Sequence, residues 1–257
     1  MSSSMASGSS ELGGVQVVPP ALAPVSQSRA TRMLPVVLSM VAGSVDMIGF
    51  LGLGGLFTAH VTGNLVVLAA HFLANSAVPV AHVIAVPIFV SALALTRLFV
   101  SGLERAGIGS LQPLLLLHAL ILCGFTAIGV AAGRHPDPGQ PMMILAGMLG
   151  VSAMAAQNAL VRVSLTGTPS TAVMTTNITV FVMDLGEILL GRDPHGAAQA
   201  RDRARRTGPL IAGFLVGCAL GASCEAAYGL AALVVPSGLA LVAIAMGVAS
   251  RPSFADQ

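Results

Sequence analysis

The sequence predicts an all-α polytopic membrane protein, and three observations carry that prediction. Of 257 residues, 55% are hydrophobic and only 9% charged, against about 25% charged in a soluble globular domain. Mean hydropathy is +0.87. Apolar stretches near the roughly 20 residues needed to cross a hydrocarbon core recur along the chain after residue 32. Collagen and disulfide scaffolds fail on period and on only three cysteines, Cys123, Cys218 and Cys224, each inside an apolar run and read as packing residues. A net charge of +2, with no Trp and one Tyr, speaks against a nucleic-acid partner, which needs a basic surface or aromatic stacking.

Residues 1–32 are rich in Ser, Pro, Gly and Ala and end in Arg29 and Arg32. No apolar core precedes those arginines, so this reads as a disordered cytoplasmic tail and not as a signal peptide. A single membrane domain follows over 33–249, and 250–257 is a short tail. Clear spans are expected at 33–53, 79–99, 111–132, 141–161, 208–228 and 231–249. Segments 57–73 and 170–190 are apolar but interrupted by polar residues near their starts, which marks broken helices. The stretch 191–207, with Arg192, Arg201, Arg203, Arg205 and Arg206, is read as the sizeable polar loop and belongs in the cytoplasm.

The chain also repeats itself. Residues 58–67 read T-A-H-V-T-G-N-L-V-V and residues 171–180 read T-A-V-M-T-T-N-I-T-V, so a shift of 113 leaves five of ten positions identical. Asp46 lies 18 residues before Asn64, and Asn158, with Gln157 beside it, 19 before Asn177. The expected halves are 33–132 and 141–249, each a helix, a broken segment and two more helices. With an inner N-terminus and broken segments that do not cross, six spans leave only Arg134 outside and the other eleven arginines inside. Eight spans would put Arg97, Arg105 and Arg162 outside, so the positive-inside rule favours six. Length argues for eight, because five extended and ten helical residues reach roughly 30 Å. Six spans plus two broken segments is the expected topology.

Non-helical backbone survives at membrane depth only when enclosed by protein or facing a water-filled cavity. Paired breaks in matching halves point to a transport site, so Thr58, His60, Thr62 and Asn64 in the first motif and Thr171, Thr175 and Asn177 in the second are candidates for the pathway. Asn and Thr also favour helix N-caps, and the plainer alternative is that they only cap and glue helices. Asp46 costs at least about 2.5 kcal/mol inside a membrane. Burial penalises its charged form, which opens a proton-coupling role; the alternative is a neutral Asp bonded to Ser44 or a neighbouring helix. Gln157 and Asn158 hold the matching place without charge. His60, replaced by Val173 in the second motif, is read more readily as a packing residue than as a proton relay. His71, His82 and His118 show no metal spacing. Asp184, Glu187 and Arg192 suggest an ion-pair face at the cytoplasmic edge, Arg162 and Glu225 sit near span ends where snorkelling accommodates charge, and Gly213, Gly217 and Gly221 suggest close helix packing.

The run from Ala42 to Asn64, A-G-S-V-D-M-I-G-F-L-G-L-G-G-L-F-T-A-H-V-T-G-N, resembles the signature of the YoaK-like family of uncharacterised bacterial membrane proteins. The second half resembles it through Ala155–Ala159 and Thr171–Asn177, although Thr176 stands where the family pattern suggests Gly. The resemblance covers roughly 33–249. It implies a bacterial cytoplasmic-membrane protein and no particular activity.

No P-loop and no G-x-S-x-G elbow occurs, so no enzymatic activity, cofactor or metal is expected. The reading is a secondary transporter of an unknown small solute or ion between the two breaks, set against a non-transporting scaffold or sensor. The lipid bilayer is the other expected partner, and a homo-oligomer is left open.

Overall fold

In the computed structural model, which describes residues 29–74, 76–134, 136–191 and 194–249, the apolar runs are helices, and no strand occurs among the described residues. They are α1 (Arg29–Gly52), α2 (Gly63–Leu73), α3 (Val80–Arg105), α4 (Leu111–Ala131), α5 (Pro141–Ser164), α6 (Met174–Leu190), α7 (Pro194–Tyr228) and α8 (Val234–Ala249), with a 3-10 turn, Gly229–Leu233, joining the last two. Among the described residues, five stretches are long and apolar enough to cross a membrane, and the fifth, Pro194–Ala249, has 56 residues. As helix that is about 84 Å, close to three hydrocarbon thicknesses. It has to fold back, and the 3-10 turn is where it does. The surface agrees: Phe72, Leu73, Leu98, Met183 and Leu189 are exposed, as lipid-facing side chains must be. The chain is a multi-pass membrane protein.

Two boundaries differ from the sequence reading. The stretch 191–207 is not a loop, because α7 starts at Pro194. Pro is preorganised for a first helical position, and the Ala- and Arg-rich residues after it are strong helix formers, so α7 overhangs its apolar part. Likewise α1 begins at Arg29, inside the expected tail. The rest of that tail and residues 250–257 lie outside the described residues.

Helix directions follow from which residues meet. Gly213, Gly217 and Gly221 of α7 lie against Val36, Met40 and Ser44 of α1 in rising order, so these helices run parallel. On α5, Gln157 reaches the Leu38 carbonyl while Gly147 faces Leu53 and Leu56, so α5 runs antiparallel to α1. Ser110 bonds Ser164, and Phe125 faces Gly150, making α4 antiparallel to α5. Thr126 bonds Ser237, and Gly247 meets Leu115, which sets α8 antiparallel to α4. α3 ends at Arg105, a short link before α4 begins at Leu111 beside Ser164, so the start of α1, the ends of α3 and α5 and the start of α7 share one face, which carries Arg32, Arg97, Arg105, Arg162, Arg201, Arg203, Arg205 and Arg206. Arg134 lies at the opposite face, against Gly229.

The centre belongs to α1 and α5, whose most apolar windows are 67% and 72% buried, against 17% for α3 at the edge. Lipid gives helices no hydrophobic reason to associate, so contact rests on close packing and polar bonds. The glycine ladder of α7 supplies the packing. A Cβ at Gly221 would stand 2.8 Å from the Ser44 carbonyl oxygen.

Candidate functional site

α1 stops where Gly54 and Gly55 turn left-handed, at φ +67° and +84°. Only glycine takes that conformation without strain, and Gly55 N–H closes the helix end on the Phe50 carbonyl at 2.9 Å. The chain then runs back along α1 without helix until α2 begins at Gly63.

Asp46 holds that segment. Its Oδ1 accepts from the peptide N–H groups of Thr58 and Ala59, each at 2.7 Å, with the Thr58 hydroxyl at 3.3 Å and His60 N at 3.4 Å. Its Oδ2 lies 2.6 Å from His60 Nδ1. Successive N–H groups converging on one oxygen form a backbone nest for an anion, so this carboxylate is solvated by the break itself. Asp46 is buried and Thr58 is fully so, whereas the His60 side chain remains 36% exposed. Ser44, the alternative partner, bonds the Met40 and Val41 carbonyls of its own helix instead. His60 is thus more than a packing residue: it pairs with Asp46, and its ring meets Phe214 of α7 edge-on at 5.5 Å.

The segment turns back toward the face it came from. Asn64 accepts from Phe57 N–H at 2.9 Å and donates to the Phe57 carbonyl at 2.8 Å, cross-linking the start of α2 to the incoming non-helical segment. The end of α2 then returns beside the start of α3, where the His71 and His82 rings lie 6.2 Å apart, and His82 borders Gly55.

The second break uses the same parts with neutral chemistry. Gln157 donates through Nε2 to the Thr171 hydroxyl at 3.0 Å and to the Leu38 carbonyl at 2.9 Å. Asn177 donates to the Ser170 carbonyl at 2.6 Å, again seven residues back. α6 then packs on α7, where Arg203 holds buried Asp184 at 2.6 Å and Glu187 at 3.3 Å. Arg203 is therefore a partner of this acidic pair; the expected Arg192 lies outside the described residues.

The expected capping role fails in both motifs. Thr62 is the N-cap of α2 and Val173 that of α6, and neither makes a side-chain cap bond. Thr62 and Thr175 are exposed. Asn64 and Asn177 are spent on tying the breaks to themselves, since an unpaired peptide at that depth costs more than an uncapped helix end. Asn158 faces away, bonding the Met154 carbonyl of its own helix and lining a groove with Arg97 and Arg162. Asp46 and Leu38 are eight residues apart on α1, so the two polar clusters sit about 12 Å apart along the axis. Sequence reasoning missed Phe214, Arg203 and the carbonyls of Phe57 and Ser170: no local pattern marks a backbone acceptor or an aromatic ring from another helix.

The paired cross-links give a prediction. Asn64→Ala strands both backbone groups of Phe57 and is expected to cost roughly 2–3 kcal/mol, whereas Asn177→Ala loses one backbone bond and a weak contact to Met174 Sδ, about 1 kcal/mol. Thermal melts followed by circular dichroism in detergent would show the larger drop for Asn64. Equal drops would mean that the second Asn 64 bond contributes nothing.

No curated protein and no solved structure matches the chain. The family model described as protein of unknown function (DUF1275) matches residues 34–246, most of the chain and all of both breaks, and the chain belongs to that family.

Proposed function

We propose that this protein is a secondary transporter of a small solute, built from two inverted repeats, with its arginine-rich face in the cytoplasm and Asp46 and His60 as the proton-coupling pair. The carrying observation is that Asp46, buried beside a break in the bundle, has its charge met by backbone N–H groups and by His60. An arginine would fix a carboxylate in its charged form, whereas a half-exposed imidazole can exchange a proton with it.

The helix pairing supports the repeats. α1 packs on α7 as α5 packs on α3, α4 on α5 as α8 on α1, and α2 on α3 as α6 on α7. Exchanging α1–α4 for α5–α8 maps each of these contacts onto another, and α1 and α5 run in opposite directions, as inversion requires. Broken segments that approach from opposite faces are the arrangement in which inverted-repeat transporters bind substrate. The uneven chemistry, a carboxylate in one half and Gln157 in the other, gives one coupling group per chain.

The test is solute-driven proton flux in proteoliposomes loaded with a pH dye and offered a metabolite panel. A solute that moves protons with wild-type protein and is taken up without proton movement by Asp46→Asn is the expected result. Unaltered coupling in Asp46→Asn would remove Asp46 from the role. Orientation is tested with single cysteines at Arg134 and Ala198 in a background lacking the native three. An impermeant thiol reagent added outside intact cells should label the cysteine at 134 and spare that at 198; the reverse pattern overturns the assignment.

A further inference from the structure

A groove of about 510 Å3 lies between α3 and α5 beside the second break, a volume typical of ligand sites. Its α3 wall is Phe89, Leu93 and Arg97, spaced by four and hence one stripe of the helix. The stripe is apolar toward the membrane centre and ends in a guanidinium eight residues before the helix terminus. Its α5 wall carries Asn158 and Arg162, also four apart, and Ser170 from the break closes one side. Two cations thus converge at the arginine-rich face above an apolar slot. Arg97 gives one nitrogen to exposed Glu104 at 3.3 Å, a loose pair of the kind that contributes little and leaves the other guanidinium donors for a ligand.

From this juxtaposition we infer that the groove binds an anionic phospholipid of the leaflet on the arginine-rich face, its phosphate between Arg97 and Arg162 and its acyl chain along Leu93 and Phe89. Guanidinium groups suit phosphate oxygens because their donors match them two at a time. The wall chemistry decides for a lipid over a free anion: below Arg97 the α3 wall, Leu93 and Phe89, is apolar, and α3, the outer wall, is the least enclosed of the candidate spans, so the groove borders the bilayer. The headgroup would rest against Ser170, whose carbonyl Asn177 holds, placing a lipid contact on the second break. The inference stands apart from the Asp46 cluster and does not depend on transport.

The test is native mass spectrometry of the detergent-purified full chain titrated with dioleoylphosphatidylglycerol, dioleoylphosphatidylcholine or glycerol 1-phosphate. Wild type should retain the anionic lipid well above the zwitterionic one. Arg97→Gln and Arg162→Gln should each weaken the anionic lipid roughly fivefold, as for one basic residue near an anionic surface, with phosphatidylcholine unchanged. Arg105→Gln, on the same face but outside the groove, should match wild type. All three arginines are exposed, and a circular-dichroism melt at the wild-type temperature confirms that each variant is folded. Equal retention of the two lipids by wild type, or a double variant that holds phosphatidylglycerol as wild type does, overturns the inference. Binding of glycerol 1-phosphate as tight as that of the lipid overturns the assignment to a lipid.

Discussion

Asp46→Leu should lower the stability of this protein by about 3–5 kcal/mol, the largest loss expected from any polar position. Leucine fits the space but accepts nothing, so the buried Thr58 N–H and the part-buried Ala59 N–H, both 2.7 Å from Asp46 Oδ1, would be left unpaired at up to roughly 1–3 kcal/mol each. His60 would lose its partner as well, and truncating one side of a buried pair costs in the same range. Asp46→Asn separates the two jobs of the residue. Its Oδ1 can still accept from both N–H groups, and its Nδ2 can donate to His60 Nδ1 once the ring proton moves to Nε2, so only about 1 kcal/mol should be lost. Melts in detergent should therefore rank wild type, then Asn, then Leu. With no Trp and a single Tyr, the melt is better read by circular dichroism than by intrinsic fluorescence. If Leu is as stable as Asn, the carboxylate does not hold the break in place.

The second large effect is expected at Gly217. A Cβ there would collide with the Met40 carbonyl, and a neighbour that is backbone cannot rotate aside. α1 and α7 must then separate, which loosens Gly213 and Gly221 against α1 as well. Gly217→Ala should cost about 3 kcal/mol, toward the upper end for overpacking, and Gly217→Val more. Gly102 in α3 and Gly186 in α6 have open space where a Cβ would go. Alanine at either should be neutral or stabilise by up to about 1 kcal/mol through helix propensity. A neutral Gly217→Ala would show that the α1 and α7 backbones are free to part.

The transporter reading joins these positions. Asp46 ties the first break to α1, and the glycine ladder brings α7, with Phe214, against the same stretch of α1. A change at Gly217 should therefore disturb the His60 environment without touching it, which a shift in the pH dependence of any measured flux would register.

Composition and run length alone determined that this is a helical membrane protein and roughly where its helices lie, apart from α7, which starts at Pro194 and not near 208, and polar interruptions marked the two segments that break. Those properties follow from local physics: a segment that crosses hydrocarbon must satisfy its own backbone, which a long apolar helix does, and polar residues interrupt such a run. Sequence also singled out Asp46, Asn64, Gln157 and Asn177, because buried polar groups stand out against an apolar background. What each of them touches was decided only by the tertiary structure. Thr62 and Thr175 look like caps in sequence and make no cap bond, while Asn64 and Asn177 reach seven residues back to carbonyls that no side-chain pattern announces. His60 looked like packing until the turn at Gly54 brought its ring to Asp46, and Asp184 found Arg203 because the polar stretch became the first turns of α7. A backbone group carries the same chemistry at every residue, so a side chain's backbone partner is set by how the chain folds back and leaves no mark in the residues themselves.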